Sequence, residues 1–197
     1  GISLVERKNI SPFGPYTYRA GRRIGGLNSG DGSFCGANIE GAQKYGNLPC
    51  SVDGLSSDAW PEPQNANTYR TWGSRNGDAL VDKFYDEGSK FKLLESSRLR
   101  SADDFKSACV DGWKPAMICS LWAFELSGYQ RDWRDRNDQA IPIYRRSRQQ
   151  WAHNMTLCGC IKAVDQWWVV VRNSWGPTAH SGRDHFIIPL GLLDDWL

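Results

Sequence analysis

An α+β fold, helical in its first half and β-rich in its second, is the class this sequence predicts. Three observations lead to it. Segments with helical spacing and cap residues end near residue 110, and apolar runs bounded by turn residues follow from 115 onward. Between them, Asp104-Phe-Lys-Ser-Ala-Cys-Val-Asp-Gly-Trp-Lys-Pro-Ala-Met-Ile118 reads as a helix, a Gly-x-x-Pro turn and a strand. The 197 residues suffice for one domain of ordinary size or two packed lobes around a cleft.

Residues 1–24 are basic and rich in turn formers (Ser11-Pro-Phe-Gly-Pro15), which predicts an arm lying on the surface of a domain spanning 25–197. Gly30-Asp-Gly-Ser33 is loop chemistry that brings backbone N–H groups close to a substrate. From Cys35 to Tyr45 a short helix is expected, with Ile39, Ala42 and Tyr45 at helical spacing. Residues 46–77 carry Pro49, Pro61 and Pro63 and predict a long irregular segment. Its aromatic residues Trp60, Tyr69 and Trp72 either line a groove or, more commonly, pack the segment onto the body. Asp78 to Gly88 reads as a helix ended by glycine, and Ser101-Ala-Asp-Asp104 as a capping box, Asp replacing Glu, that opens a helix to about Val110. Residues 115–122, 153–163, 167–172 and 184–190 are the predicted strands, with a turn at Ala163-Val-Asp-Gln166.

Three side chains in this frame carry chemistry. Cys35 opens its helix, where an N-terminal dipole and an imidazolium partner would favour the thiolate. His153, in Trp151-Ala-His-Asn-Met-Thr-Leu-Cys-Gly-Cys160, supplies an imidazole to shuttle the proton, and it needs a partner to fix its ring. Asn173, in Val169-Val-Val-Arg-Asn-Ser-Trp-Gly176, can accept a hydrogen bond from that ring without adding a competing charge. The predicted pairing of 153–160 with 167–172 lets His153 and Asn173 meet, and Trp175 is placed to cover their hydrogen bond. Singly, each has a bland reading: a buried small hydrophobe, a core histidine, a turn residue. Together in this order they point to a Cys–His–Asn thiol hydrolase.

On these residues the chain, over roughly 25–190, resembles the papain-like cysteine peptidases. His153-Asn-Met-Thr-Leu-Cys-Gly-Cys160 is similar to the family's His-Ala-Val-x-x-Val-Gly-Tyr strand, and Arg172-Asn-Ser-Trp-Gly176 to its Lys-Asn-Ser-Trp-Gly. The resemblance implies a two-lobe fold, with the cysteine on a helical N-terminal lobe and His and Asn on a β-rich C-terminal lobe. It further implies a cysteine endopeptidase that forms an acyl-enzyme, acts on protein or peptide and needs no cofactor. Where the family has Cys-Trp-Ala-Phe the chain has Cys35-Gly-Ala-Asn38. The family's oxyanion glutamine, six residues before the cysteine, falls at Ser29, with the carboxamide of Asn28 beside it. Such sparse motif retention looks like bacterial or bacteriophage members. Two other classes stay open: a non-catalytic papain-fold module in a larger assembly such as a phage virion, and an isopeptide or peptidoglycan cysteine hydrolase.

Composition narrows the partners. The net charge of +2 exerts no strong pull toward nucleic acid or anionic membrane. The arginines of 131–148 are interleaved with Asp132, Asp135 and Asp138, which predicts a solvated, salt-bridged surface. No apolar stretch approaches the ~20 residues that span a bilayer, and no signal peptide is recognisable; Gly1 in place of Met marks a processed or excerpted chain. Of the six cysteines, one is wanted as a nucleophile, and Cys158 and Cys160 lie too close in one strand to bridge. Reduced cysteines are therefore expected, in a reducing compartment (cytoplasm or a phage virion). Cys158-x-Cys160, with His153, His180 and His185 nearby in sequence, lacks the zinc-type Cys-x-x-Cys spacing, so no metal site is expected.

Overall fold

The computed structural model describes residues 12–55, 66–112, 115–134, 139–163, 165–173, 179–180 and 182–195. It divides into two compact units, Gly1–Ser97 and Arg98–Leu197. The first is helical and the second is built on a sheet, the α+β order expected. No helix among the described residues is long and apolar enough to cross a membrane.

The first unit opens with α1 (Gly14–Ile24), inside the stretch expected to form an arm. Pro15 suits the first turn of a helix, where its missing N–H has no partner to lose. Phe13, Tyr16 and Ala20 are buried together with Tyr45, Leu48, Trp72, Val81 and Phe84. Helix α2 (Cys35–Lys44) crosses α1 closely at two glycines, Gly21 of α1 and Gly41 of α2. A Cβ on Gly21 would lie 1.9 Å from Asn38 Oδ1, and one on Gly41 would lie 2.7 Å from Gly21 N. That close approach is why both positions are glycine. Helix α3 (Ala66–Gly73) occupies part of the segment expected to be irregular, and places Trp72 in the core against Phe13 and Phe84. Trp60 lies outside the described residues. The helix expected over 78–88 is split into α4 (Gly77–Lys83) and α5 (Tyr85–Gly88), with Phe84 turned inward between them at φ −103°.

Two arginines are also buried in this unit. Arg19 is 1% exposed and forms a bidentate pair with Asp78 at 2.9 and 2.8 Å. It also donates to the carbonyls of Leu27 and Gly73 and to Asn28 Oδ1. Arg22, one helical turn on, donates to four neutral oxygens: the carbonyls of Gly73, Ser29 and Gly32, and the Tyr18 hydroxyl. Their forks therefore pin the loop 27–32 that leads to Cys35. Gly30 and Gly32 in that loop adopt φ of +73° and +89°, which side chains with a Cβ rarely tolerate.

The second unit begins with α6 (Ala102–Gly112). Its start is capped as expected. Asp104 N–H donates to Ser101 Oγ, and the Asp104 carboxylate accepts from Arg100 N–H at 2.8 Å. The strands are β1 (Ala116–Arg134), β2 (Ala140–Ala163), β3 (Gln166–Arg172) and β4 (His185–Pro189), ordered β1-β2-β3-β4. Adjacent strands are antiparallel, and a parallel contact of Ile143 with Ile187 brings β4 back to β2, so the sheet curls on itself. The first two strands are far longer than their apolar runs suggested. Beyond the core their outer halves pair with each other; there Arg145 pairs with Glu125 at 2.7 Å and Arg146 lies over the Trp122 ring. The Arg145–Glu125 pair is a salt bridge of the kind expected for the arginine cluster, while Asp135 and Asp138 lie outside the described residues.

The core of this unit joins Phe105 and Cys109 of α6 to Ile118, Met155, Leu157, Val169, Val171, Phe186 and Ile188 of the sheet. Cys109 and Cys160 meet at its edge. Burial, then the neighbouring Cys109 thiol, pushes Cys160 up from 9.0 to about 12. Between about pH 9 and about 12 the unfolded chain therefore releases a proton that the folded chain retains, and stability falls as pH rises through that window. The urea midpoint should drop between about pH 8 and about pH 10.5, and Cys160→Ala should flatten that slope; an equal slope in the variant would rule the thiol out as its source.

Candidate active site

His153 stands on β2 opposite Ser120 of β1, on the face that continues as the buried Met155 and Leu157. Pairing of Thr156 with Arg172 sets the β2–β3 register, and Asn173 follows β3 directly. Asn173 N–H donates to Asp184 O at 2.9 Å, which extends the β3–β4 ladder by one residue and holds the asparagine backbone. His153 Nε2 and Asn173 Oδ1 are 2.8 Å apart. With the oxygen as acceptor, Nε2 carries the hydrogen and Nδ1 is the nitrogen left for proton exchange. Trp151 stacks beside His153 with ring centroids 5.0 Å apart.

The asparagine has a second histidine on its other end. Asn173 is 4% exposed, and its Nδ2 lies 3.1 Å from His180 Nε2, while His180 Nδ1 lies 3.1 Å from the Tyr144 hydroxyl. His180 reaches this position from a tight return in which its N–H donates to Arg183 O and Gly182 adopts φ +86°. Packed between Tyr144 and Phe186, His180 is 3% exposed. Burial, then the neighbouring His185, holds its pKa below the usual imidazole value, while Asp184 opposes them. Nothing in the sequence marked Tyr144. His180 was visible only as a histidine a short loop beyond Asn173.

In the first unit Cys35 is the first residue of α2, with Phe34 at the N-cap in extended conformation and no side-chain cap on the helix. The helix N-terminus, which Phe34 does not cap, carries the positive end of the helix dipole and favours an anion. The cysteine is half-buried. It is disulfide-bonded, as is Cys119, whereas Cys50, Cys109, Cys158 and Cys160 are outside any disulfide. The expectation of six reduced cysteines is corrected accordingly. Bonding follows which sulfurs a fold brings within reach, and sequence spacing does not reveal that.

Asn28 and Ser29 lie exposed on the loop pinned by the arginines. Arg19 takes the carboxamide oxygen of Asn28 at 3.3 Å, so its NH₂ end is the one left to donate elsewhere, and the Ser29 carbonyl accepts from Arg22 at 2.8 Å. Trp175 lies outside the described residues. Of the expected site residues, then, His153 and Asn173 are joined within the second unit, and Cys35, Asn28 and Ser29 belong to the first. The sequence reading missed the two buried arginines. A signal was present for Arg19, whose spacing puts it on the same helix face as Tyr16 and Ala20; Arg22 lies one turn beyond Arg19, away from that face.

No protein-family model and no curated protein matches this chain by sequence. Among solved structures the chain is similar to xylellain, a cysteine protease from Xylella fastidiosa, with a TM-score of 0.60 and 19% identity over 95% of this chain and 68% of the other. The fold is papain-like, with a helical lobe and a β-rich lobe.

Proposed function

We propose that this chain is a cysteine endopeptidase acting through Cys35, His153 and Asn173. The observation that carries the reading is the 2.8 Å hydrogen bond from His153 Nε2 to the buried Asn173 oxygen. It leaves Nδ1 to exchange a proton with sulfur, and Cys35 begins a helix whose dipole favours a thiolate. The Cys35 thiolate attacks a peptide carbonyl, and the oxyanion is met by the Cys35 N–H and the NH₂ end of Asn28. His153 protonates the leaving amine as the C–N bond breaks. It then takes a proton from water, which hydrolyses the thioester and regenerates the thiol. Asn28 serves rather than Ser29, because Arg19 holds its oxygen and so aims its donor end. The substrate is protein or peptide, and the chain works where reductant is supplied, in cytoplasm or in a virion assembled there.

Because Cys35 is disulfide-bonded, the enzyme is latent until reduced. A dithiol delivers two electrons and two protons to the disulfide, freeing the Cys35 thiol and leaving as its own disulfide. Hydrolysis of a fluorogenic peptide library should therefore appear only after dithiol treatment, and iodoacetamide should label Cys35 only then. The same disulfide favours one second reading, a non-catalytic papain-fold module whose cysteine is structural. A reduced chain that labels at Cys35 but cleaves no peptide would select that reading.

A further inference from the structure

We propose that His180, held by Tyr144, is a positioning residue that fixes which end of the Asn173 side chain faces His153, and so which ring nitrogen of His153 carries its proton. The consequence for catalysis rests on the Cys–His–Asn reading above; the placement of the proton does not.

Asn173 lies between two imidazoles, 2.8 Å from His153 Nε2 and 3.1 Å from His180 Nε2. A carboxamide is nearly symmetric in shape but not in chemistry, since one end accepts and the other donates. Whichever end meets His153, the opposite end meets His180, so the two rings must take opposite roles. With Oδ1 toward His153, His153 donates from Nε2. His180 must then accept at Nε2, which makes it neutral with its hydrogen on Nδ1, donated to the Tyr144 oxygen 3.1 Å away. With the amide reversed, His153 would have to accept at Nε2 and carry its hydrogen on Nδ1, the nitrogen needed by the thiol.

An imidazolium has two donors and no acceptor. His153 can be charged with the amide satisfied only in the first arrangement, and His180 only in the second, so the network admits one charged ring. The surroundings choose which. The rings of Tyr144 and Phe186 lie 5.2 and 4.7 Å from His180 and exclude water from it without supplying a counter-charge. The titratable and charged groups around His180 are Tyr144 and His153 on β2, and Asp184, His185 and Arg183 at the start of β4; Asp184 is itself paired with Arg172 at 3.0 Å. Desolvation outweighs the attraction of Asp184, so His180 stays neutral, as the arrangement with Oδ1 toward His153 requires. A buried histidine and a phenol thus lock the direction of the asparagine.

The test is side-chain ¹⁵N NMR of the full chain, labelled at histidine, beside steady-state hydrolysis of a peptide substrate. The wild type should show its hydrogen on Nε2 in neutral His153 and on Nδ1 in His180. In His180→Leu the amide loses its acceptor. The His153 hydrogen should spread over both nitrogens, and kcat should fall roughly tenfold with KM unchanged, the scale at which partners of an oriented histidine are felt. His180→Gln restores an acceptor and should recover both. An unchanged His153 pattern in folded His180→Leu, or a hydrogen on Nε2 of His180 in the wild type, overturns the proposal. If the leucine variant does not fold, Tyr144→Phe removes only the hydroxyl; His180 should then lose its fixed tautomer, and an unaltered spectrum overturns the proposal equally. A wild type that shows the expected ¹⁵N pattern but cleaves no peptide would sink the protease reading and leave this one standing.

Discussion

In the reduced chain, His153→Ala is expected to move the pH midpoint of Cys35 alkylation upward, to that of an ordinary thiol at about 8.5, and to lower peptide hydrolysis by about 10⁶-fold. Both effects have one origin. A thiolate beside an imidazolium is stabilised by a full opposite charge, and the helix dipole contributes only a fraction of that. Removing the ring leaves Cys35 with its position at the first turn of α2 but no proton acceptor. Alkylation followed by peptide mass analysis across about pH 4–9 reads the midpoint directly. The midpoint, rather than the rate at one pH, is the informative quantity, because a less acidic thiolate is intrinsically more nucleophilic and offsets part of the lost ionisation. A wild-type midpoint already near 8.5 would mean that no ion pair forms, and the protease reading would fall with it.

Asp78→Ala should destabilise the first unit by about 3 kcal/mol, a large share of the 5–15 kcal/mol that holds a typical domain together. Arg19 is 1% exposed and Asp78 supplies both oxygens of its fork, so alanine leaves a buried guanidinium facing only neutral acceptors. Asp78 itself is 30% exposed, which places the loss at the lower end of the range for broken buried pairs. Urea unfolding should show a lower midpoint with an unchanged slope, and Asp78→Asn, which keeps one acceptor, should lose less. A loss under about 1 kcal/mol would show that the carbonyls of Leu27 and Gly73 with Asn28 Oδ1 satisfy Arg19 by themselves. Because the same guanidinium holds Asn28, the variant tests the support of the oxyanion loop as well as the fold.

How much of this was legible differs from element to element. Helix α2 and the cap of α6 were readable because the signal is local: residues at 35, 39, 42 and 45, and a serine three residues before an aspartate. The meeting of His153 with Asn173 was readable for a similar reason, since β2 and β3 are neighbours joined by a short turn and one register relation carries both residues. The full length of β1 and β2 was not. Their outer halves mix short apolar stretches with polar residues and stand by pairing with each other, a non-local cause that no continuous pattern in either segment reveals. Nor was the break at Phe84 readable, because an inward turn that drives its ring beside Trp72 interrupts an otherwise helical pattern.

By itself the sequence determined the order of helical and β-rich halves, the Cys, His and Asn in their positions along the chain, and a strand pair that sets two of them side by side. These rest on periodicity, capping and short-range register, all of which act within a few residues. Tertiary structure alone decided that Arg19 and Arg22 turn inward to hold the loop before Cys35. It also decided that Asn173 is gripped from its far side by His180 and Tyr144. Each of these is a contact between residues remote in sequence or held by a turn, and a polar side chain shows no periodicity that tells burial with a partner from exposure to water.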